Sequence, residues 1–214
     1  MPAATSPNRP SHARARRKHG PPVDKYDSRR AELADAALQT LAEMGYARTS
    51  LREIAQNSVF SHGVLHYYFQ DKLDLITCSI RQYKSKCATR YDQAVAEART
   101  REELVAGFLD KIEDTIRHEA QLHCLWYDLR SQALFEPGFR EDVAAIDQKL
   151  QDMIWRVVTR YTELGGQTPK VSPGIAYAML DGLFQKHLLQ HISGKPEAIP
   201  ELLVQIRGTL PLLA

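Results

Sequence analysis

The chain has 214 residues, 43% of them hydrophobic and 25% charged, with three cysteines, Cys78, Cys87 and Cys124; this is enough for a packed core without disulfide or metal staples, and the cysteine spacing fits a reducing cytoplasm rather than a disulfide framework or a CxxC site. No run of eighteen apolar residues offers a membrane span, and the basic N-terminus lacks the apolar segment of a secretory signal. The formal net charge of +2 conceals a divide: residues 1 to 90 carry 15 Lys and Arg against 8 Asp and Glu, residues 91 to 214 carry 13 against 18, so the N-terminal part is the one to set against phosphate.

Residues 1 to 26 are rich in Pro, Ser, Ala and Arg and lack the large apolar side chains that offset ordering entropy. They read as a disordered arm whose basic run, His12 to His19, either follows a nucleic-acid backbone or is simply solvated. From Arg29, the residues Leu33, Ala37, Leu41 and Met44 share one helical stripe that Gly45 ends. Ser50-Leu-Arg-Glu53 spells a capping box for a short second helix with Leu51, Ile54 and Ala55 inward. Ser61 caps a third helix burying Leu65, Tyr68 and Phe69, and Asp71 caps a long fourth, expected over 71 to 98, that carries Leu73, Ile76, Ile80 and Tyr83. Beyond it no alternating strand pattern occurs. Breaks at Pro137-Gly138, Gly165-Gly166, Pro169, Pro173-Gly174, Gly194 and Pro196 separate helices expected near 101 to 118, 121 to 134, 139 to 164, 174 to 192 and 197 to 210. The fold class is therefore all-α, with about nine helices.

The second and third helices have the spacing of a helix-turn-helix, in which the second helix lies in the DNA major groove and the first braces it across the backbone. Side chains near the start of the third helix then read bases. His62, Gly63, Val64 and His66 point away from Leu65 and Phe69: imidazoles donate to or accept from base edges, Val64 suits a thymine methyl, and Gly63 permits close approach. Thr49, Ser50, Ser61, Tyr67 and Lys72 flank the groove as phosphate contacts. For Ser50, Ser61 and Asp71 the plainer alternative is helix capping alone, and for Tyr67 it is packing.

At this point the residues closely resemble the TetR family of bacterial regulators. Thr49-Ser-Leu-Arg-Glu-Ile-Ala55, followed by Ser61-x-Gly63-x-Leu65-x-Tyr67-Tyr-Phe69-x-x-Lys72-x-x-Leu75, matches that family's DNA-binding signature across roughly residues 29 to 76. The resemblance implies a three-helix DNA-binding domain (27 to 72), a divergent helical domain that binds a small-molecule effector (73 to 214), and a homodimer through the last two helices. One departure stands out. The turn holds Val59-Phe60 where the family has Gly and a small aliphatic residue, which predicts a rearranged or mildly strained turn.

In the C-terminal half, Ile175, Met179, Leu183, Phe184 and Leu188 on one helix, and Leu202, Leu203, Ile206 and Leu210 on the last, form wide apolar stripes. They suit either a four-helix dimer interface or an ordinary core. Tyr91, Phe108, His123, Trp126, Tyr127, Asp128, Arg130, Met153 and Trp155 combine aromatic and polar character, as a ligand pocket requires, although aromatics at helical spacing are also common core residues. An aromatic wall beside a carboxylate would suit a cationic ligand. There is no Walker loop, GxSxG elbow or catalytic constellation, and neither a cofactor nor a metal is expected; His187 and His191 lack a third ligand. The reading is a ligand-responsive dimeric regulator, most simply a repressor released from a palindromic duplex DNA operator by a small molecule. An architectural DNA-binding protein and a helical enzyme or carrier are the competing readings.

Overall fold

The computed structural model describes residues 25–45 and 49–214; the basic run His12 to His19 lies outside the described residues. Helix α1 (Lys25–Met44) begins at Lys25 rather than Arg29, so Lys25 and Tyr26, assigned to the arm from composition, are helical. It buries Leu33, Ala34, Ala37 and Leu41 and stops at Gly45, whose φ of 72° is the left-handed conformation that favours glycine. Helices α2 (Leu51–Gln56), α3 (His62–Tyr68) and α4 (Lys72–Cys87) each start on the expected cap. Ser50 Oγ accepts from Glu53 N–H at 3.2 Å, Ser61 Oγ from Val64 N–H at 3.3 Å, and Asp71 Oδ1 from Asp74 N–H at 2.9 Å.

The turn between α2 and α3 carries no left-handed strain, contrary to the expectation for Val59-Phe60. Among the described residues only glycines have positive φ. Phe60 is half-buried against the core with the Arg29 guanidinium 5.6 Å from its ring centroid, while Val59 stands 90% exposed at the tip.

Helix α4 is bolted to α1. The buried Ser79 hydroxyl is shared between the carbonyls of Ala34 (2.8 Å) and Leu75 (2.9 Å), Arg30 pairs with Asp74, and Lys86 Nζ lies 2.9 Å from Asp35. The helix expected over 71 to 98 breaks after Cys87 and resumes as α5 (Asp92–Glu97). The break buries Tyr91 edge-on against Phe108, with ring centroids 4.6 Å apart, and sends Arg90 to Glu119. Arg156 holds the corner: its Nη2 donates to the Ala88 carbonyl at 2.6 Å and to Asp92 at 2.8 Å, satisfying a carbonyl at the end of α4.

Five further helices complete the chain: α6 (Arg101–His118), α7 (Ala120–Gln132), α8 (Arg140–Glu163), α9 (Pro173–Ile192) and α10 (Ala198–Leu213), with a single 3-10 turn at Pro137–Phe139 ahead of α8. Their limits follow the sequence breaks closely, and the split of the fourth helix raises the number among the described residues to ten, with no strand. One core runs from Leu33 through Trp126 and Phe139 to Leu213. Fully burying a large apolar side chain contributes about 1.5–3 kcal/mol, so this continuous core joins the N-terminal helices to the C-terminal bundle. No helix among the described residues is long and apolar enough to cross a membrane.

Candidate nucleic-acid interface and effector cavity

Helix α3 turns Leu65 into the core and leaves His62, Gly63, His66 and Tyr67 exposed, the last at 70%. One turn apart, His62 and His66 meet Nε2 to Nε2 at 2.9 Å, so one ring donates and the other accepts. Val64 is half-buried against the core and offers less to a groove than its position in the helix implied. Ser50 and Ser61 are exposed beside their helix N-termini, and Lys72 is half-buried at the start of α4. Thr49 departs from expectation: it is only 4% exposed and its hydroxyl bonds the Gly45 carbonyl, so it locks the end of α1 rather than presenting a hydroxyl to phosphate. Arg52 was not singled out from sequence. It is exposed on α2 and lines a shallow groove with Gln56, Phe60, Ser61 and His62.

The bundle encloses a cavity of about 70 Å³, room for several waters or one compact small molecule. Its wall is largely apolar and aromatic, with Tyr91, Phe108, Trp126, Tyr127, Tyr177 and Phe184 among the lining residues. Two cations enter it from the end of α4 and the residues that follow. Lys84 is 2% exposed; its Nζ lies 3.2 Å from His123 Nδ1, 5.4 Å from the Trp126 ring and 5.1 Å from the Tyr83 ring. Arg90 grips Glu119 through Nη2 at 2.6 and 2.9 Å, with Tyr83 donating to the same carboxylate. Burial, reinforced by Arg90, lowers the Lys84 pKa to about 8, and burial next to Lys84 and Arg90 holds His123 neutral, well below its usual range. Asp181, the carboxylate in the lining, has both oxygens engaged: Oδ1 accepts from Tyr127 at 2.8 Å and Oδ2 from Arg130, which also reaches Asp147 at 3.3 Å. Burial, then Asp181, pushes the Tyr127 pKa far up, so its hydroxyl remains a donor.

Residues 33–77, which form this N-terminal unit, match the family model of bacterial regulatory proteins of the tetR family. The chain is 29% identical over 180 residues to the HTH-type transcriptional regulator BetI of Burkholderia thailandensis, covering 79% of this chain and 86% of that one. The N-terminal unit is that of the tetR family, and the relatives matched over most of the chain are transcriptional regulators. Two solved structures share the fold: a chain from Saccharomonospora viridis in complex with choline (TM-score 0.70, 15% identity, 86% of this chain and 96% of that one) and the transcriptional regulator FadR from Bacillus subtilis in complex with stearoyl-CoA (TM-score 0.63, 18% identity, 85% and 96%).

Of the pocket residues expected from sequence, the fold brings Tyr91, Phe108, His123, Trp126, Tyr127 and Met153 to the cavity. Asp128, Arg130 and Trp155 lie outside its lining. Asp128 is approached by Gln132 at 3.3 Å, Arg130 is drawn to Asp181 and Asp147, and Trp155 packs half-buried against the core. Lys84, Arg90 and Asp181 were missed because charged residues on amphipathic helices ordinarily face water. The apolar stripe expected at a dimer interface divides between two faces. Leu188, Leu202, Ile206 and Leu210 are buried within the single chain, and Phe184 and Ile206 line the cavity. Ile175 (51%) and Met179 (38%) are exposed, with Leu183 and Leu203 half-buried, and the unexpected Leu189 (63%), Ile192 (46%) and Val204 (71%) join them on the outside of α9 and α10.

Proposed function

We propose that this protein is a dimeric, sequence-specific DNA-binding regulator whose operator affinity is lowered by a small molecule held in the cavity of the C-terminal bundle. The observation that carries this reading is the path of α4. One rigid helix starts on the Asp71 cap beside the recognition helix, is clamped to α1 at Ser79, and ends with Lys84 and Cys87 in the cavity wall. At 1.5 Å per residue, Lys84 lies roughly 20 Å along the helix from Asp71. A ligand that shifts Lys84 therefore swings α3 as well, and two recognition helices in a dimer change their spacing together, which is a population shift between two geometries.

The proposed readers are His62, Gly63 and His66, with Val64 in a lesser part, and Ser50, Ser61, Tyr67, Lys72 and Arg52 would hold phosphates. The dimer reading rests on α9, which is apolar on both its buried side and its outer side, as expected of a helix covered from two directions. Gly182 and Gly208 leave open space on these helices, so a second pair of helices can approach closely. The choline and stearoyl-CoA of the structural neighbours support a ligand site in this domain, but a long acyl-CoA exceeds the space here. Release by a ligand makes repression the simplest mode. Selection of bound sequences from random duplexes with the purified protein tests the reading: an enriched inverted repeat at two salt concentrations supports it, and recovery of unrelated sequences contradicts it.

A further inference from the structure

The cavity contains a specific imbalance of hydrogen-bonding groups. The Lys84 ammonium is inside an aromatic enclosure formed by Tyr83 and Trp126 and spends one proton on His123 Nδ1. Because His123 is neutral and its Nδ1 accepts from Lys84, its ring proton sits on Nε2. That Nε2 is buried with no partner, and so is the indole Nε1 of Trp126. Lys84, His123 and Trp126 all line the cavity, so its unspent nitrogens are all donors: two ammonium protons, an imidazole N–H and an indole N–H. No acceptor in the lining is left in the same condition among the described residues. A buried donor without an acceptor costs about 1–3 kcal/mol, and three side chains sharing one small space define the ligand by what they lack.

We propose that the cavity binds a compact monoanion with an apolar body, a small monocarboxylate, whose oxygens accept from Lys84 Nζ, His123 Nε2 and Trp126 Nε1 while its hydrocarbon part rests against Tyr91, Phe108 and Phe184. This inference rests on the effector-cavity reading above and narrows it. The expectation of a cationic ligand, drawn from an aromatic wall with a carboxylate, fails on placement. Asp128 lies outside the lining, Asp181 has both oxygens spent, and the aromatic enclosure already contains a cation of the protein's own. The same field works against a metal ion at Cys87, Glu119 and His123, whose ligand atoms lie within 4.8 Å of one another. Arg90 Nη2 already touches Cys87 Sγ at 3.5 Å and Glu119 at 2.6 Å, which places a fixed positive charge against two of the three. The apolar wall selects a carboxylate over phosphate or sulfate, whose hydration it could not replace.

The test is calorimetric titration of the full-length protein with butanoate, hexanoate, benzoate and phenylacetate, each beside the amide and the ammonium compound of the same skeleton. Fluorescence anisotropy of a bound duplex is read in parallel. The expected result is saturable binding of at least one carboxylate, with its amide weaker by about 10- to 100-fold, the value of a hydrogen bond to a charged group, and no binding of its ammonium counterpart. K84M should weaken the carboxylate more than the amide and so narrow the gap between the two. Binding of the ammonium compounds in preference to the carboxylates, or no carboxylate binding at millimolar concentration, overturns the assignment, and the unmodified protein alone decides this. The two levels separate cleanly. A carboxylate that binds through Lys84 without altering duplex affinity keeps the ligand class and removes the effector role; an ammonium compound that releases the duplex keeps the effector role and removes the class.

Discussion

Replacing Lys84 by Met should stabilise the ligand-free protein. Burial, reinforced by the Arg90 charge, brings the ammonium from 10.5 to about 8, which at 1.36 kcal/mol per pH unit corresponds to roughly 3 kcal/mol of disfavour for the charged form at neutral pH. Methionine has nearly the same length and no charge. It fills the space against Trp126 and Tyr83 but leaves His123 Nδ1 without its donor, at a cost of about 1–3 kcal/mol. The net is a gain of about 0–2 kcal/mol, and for a chain of this size each kcal/mol moves Tm by about 2–4 °C. Differential scanning calorimetry at pH 7, with reversibility checked, should therefore show K84M melting no lower than the parent and up to several degrees above it. A fall of similar size would refute the reasoning, because it would mean that Lys84 stabilises the empty fold and is a structural residue rather than a poised ligand contact.

The same residue fixes a pH dependence. Tyr83 and Cys87 on α4, Arg90 after it, Glu119 and His123 at the start of α7, and Asp181 on α9 are the charged or titratable groups around Lys84. Its folded pKa lies below its unfolded one, so between about 8 and 10.5 the unfolded chain binds more protons and stability rises with pH. The Tm advantage of K84M should be full below pH 8 and shrink towards pH 10, and carboxylate affinity should decline across pH 8; a flat profile in both measurements counts against the assignment. At the DNA surface, His62→Ala should relax base preference at one position, while Lys72→Ala should weaken all duplexes alike and reduce the salt slope by about 1; identical behaviour of the two variants would abolish the division of roles. On the outer face of α9, Met179→Asp with Leu189→Glu should convert the proposed dimer to a monomer in sedimentation and abolish tight binding to an inverted repeat. A dimer that survives both charges is held by another surface.

The helical periods, caps and breaks were legible because they are local. Ser50, Ser61 and Asp71 each cap the helix they precede, and Gly45 ends α1 with a positive φ. Tertiary demands were not legible. Tyr91 and Arg90 bend the chain where the periodicity alone would continue the helix, because burying a ring on Phe108 and neutralising Glu119 outweigh one more helical turn. The cavity's aromatic residues could be named from sequence because they had to be inside. Lys84 could not, since nothing along the chain marks which lysine is drawn away from water. The dimer stripe failed in part for the opposite reason: α9 and α10 are apolar on more than one side, and a period of 3.6 does not say which side faces the protomer's own core.

The central claim is that ligand and DNA oppose each other through α4. Its most direct test is the dissociation constant for a selected inverted repeat, measured with and without a compound shown by calorimetry to occupy the cavity. The account predicts a loss of affinity of about 5- to 150-fold, with the duplex weakening the compound's own binding by the same factor, as reciprocity requires. Unchanged duplex affinity with the cavity full would contradict it.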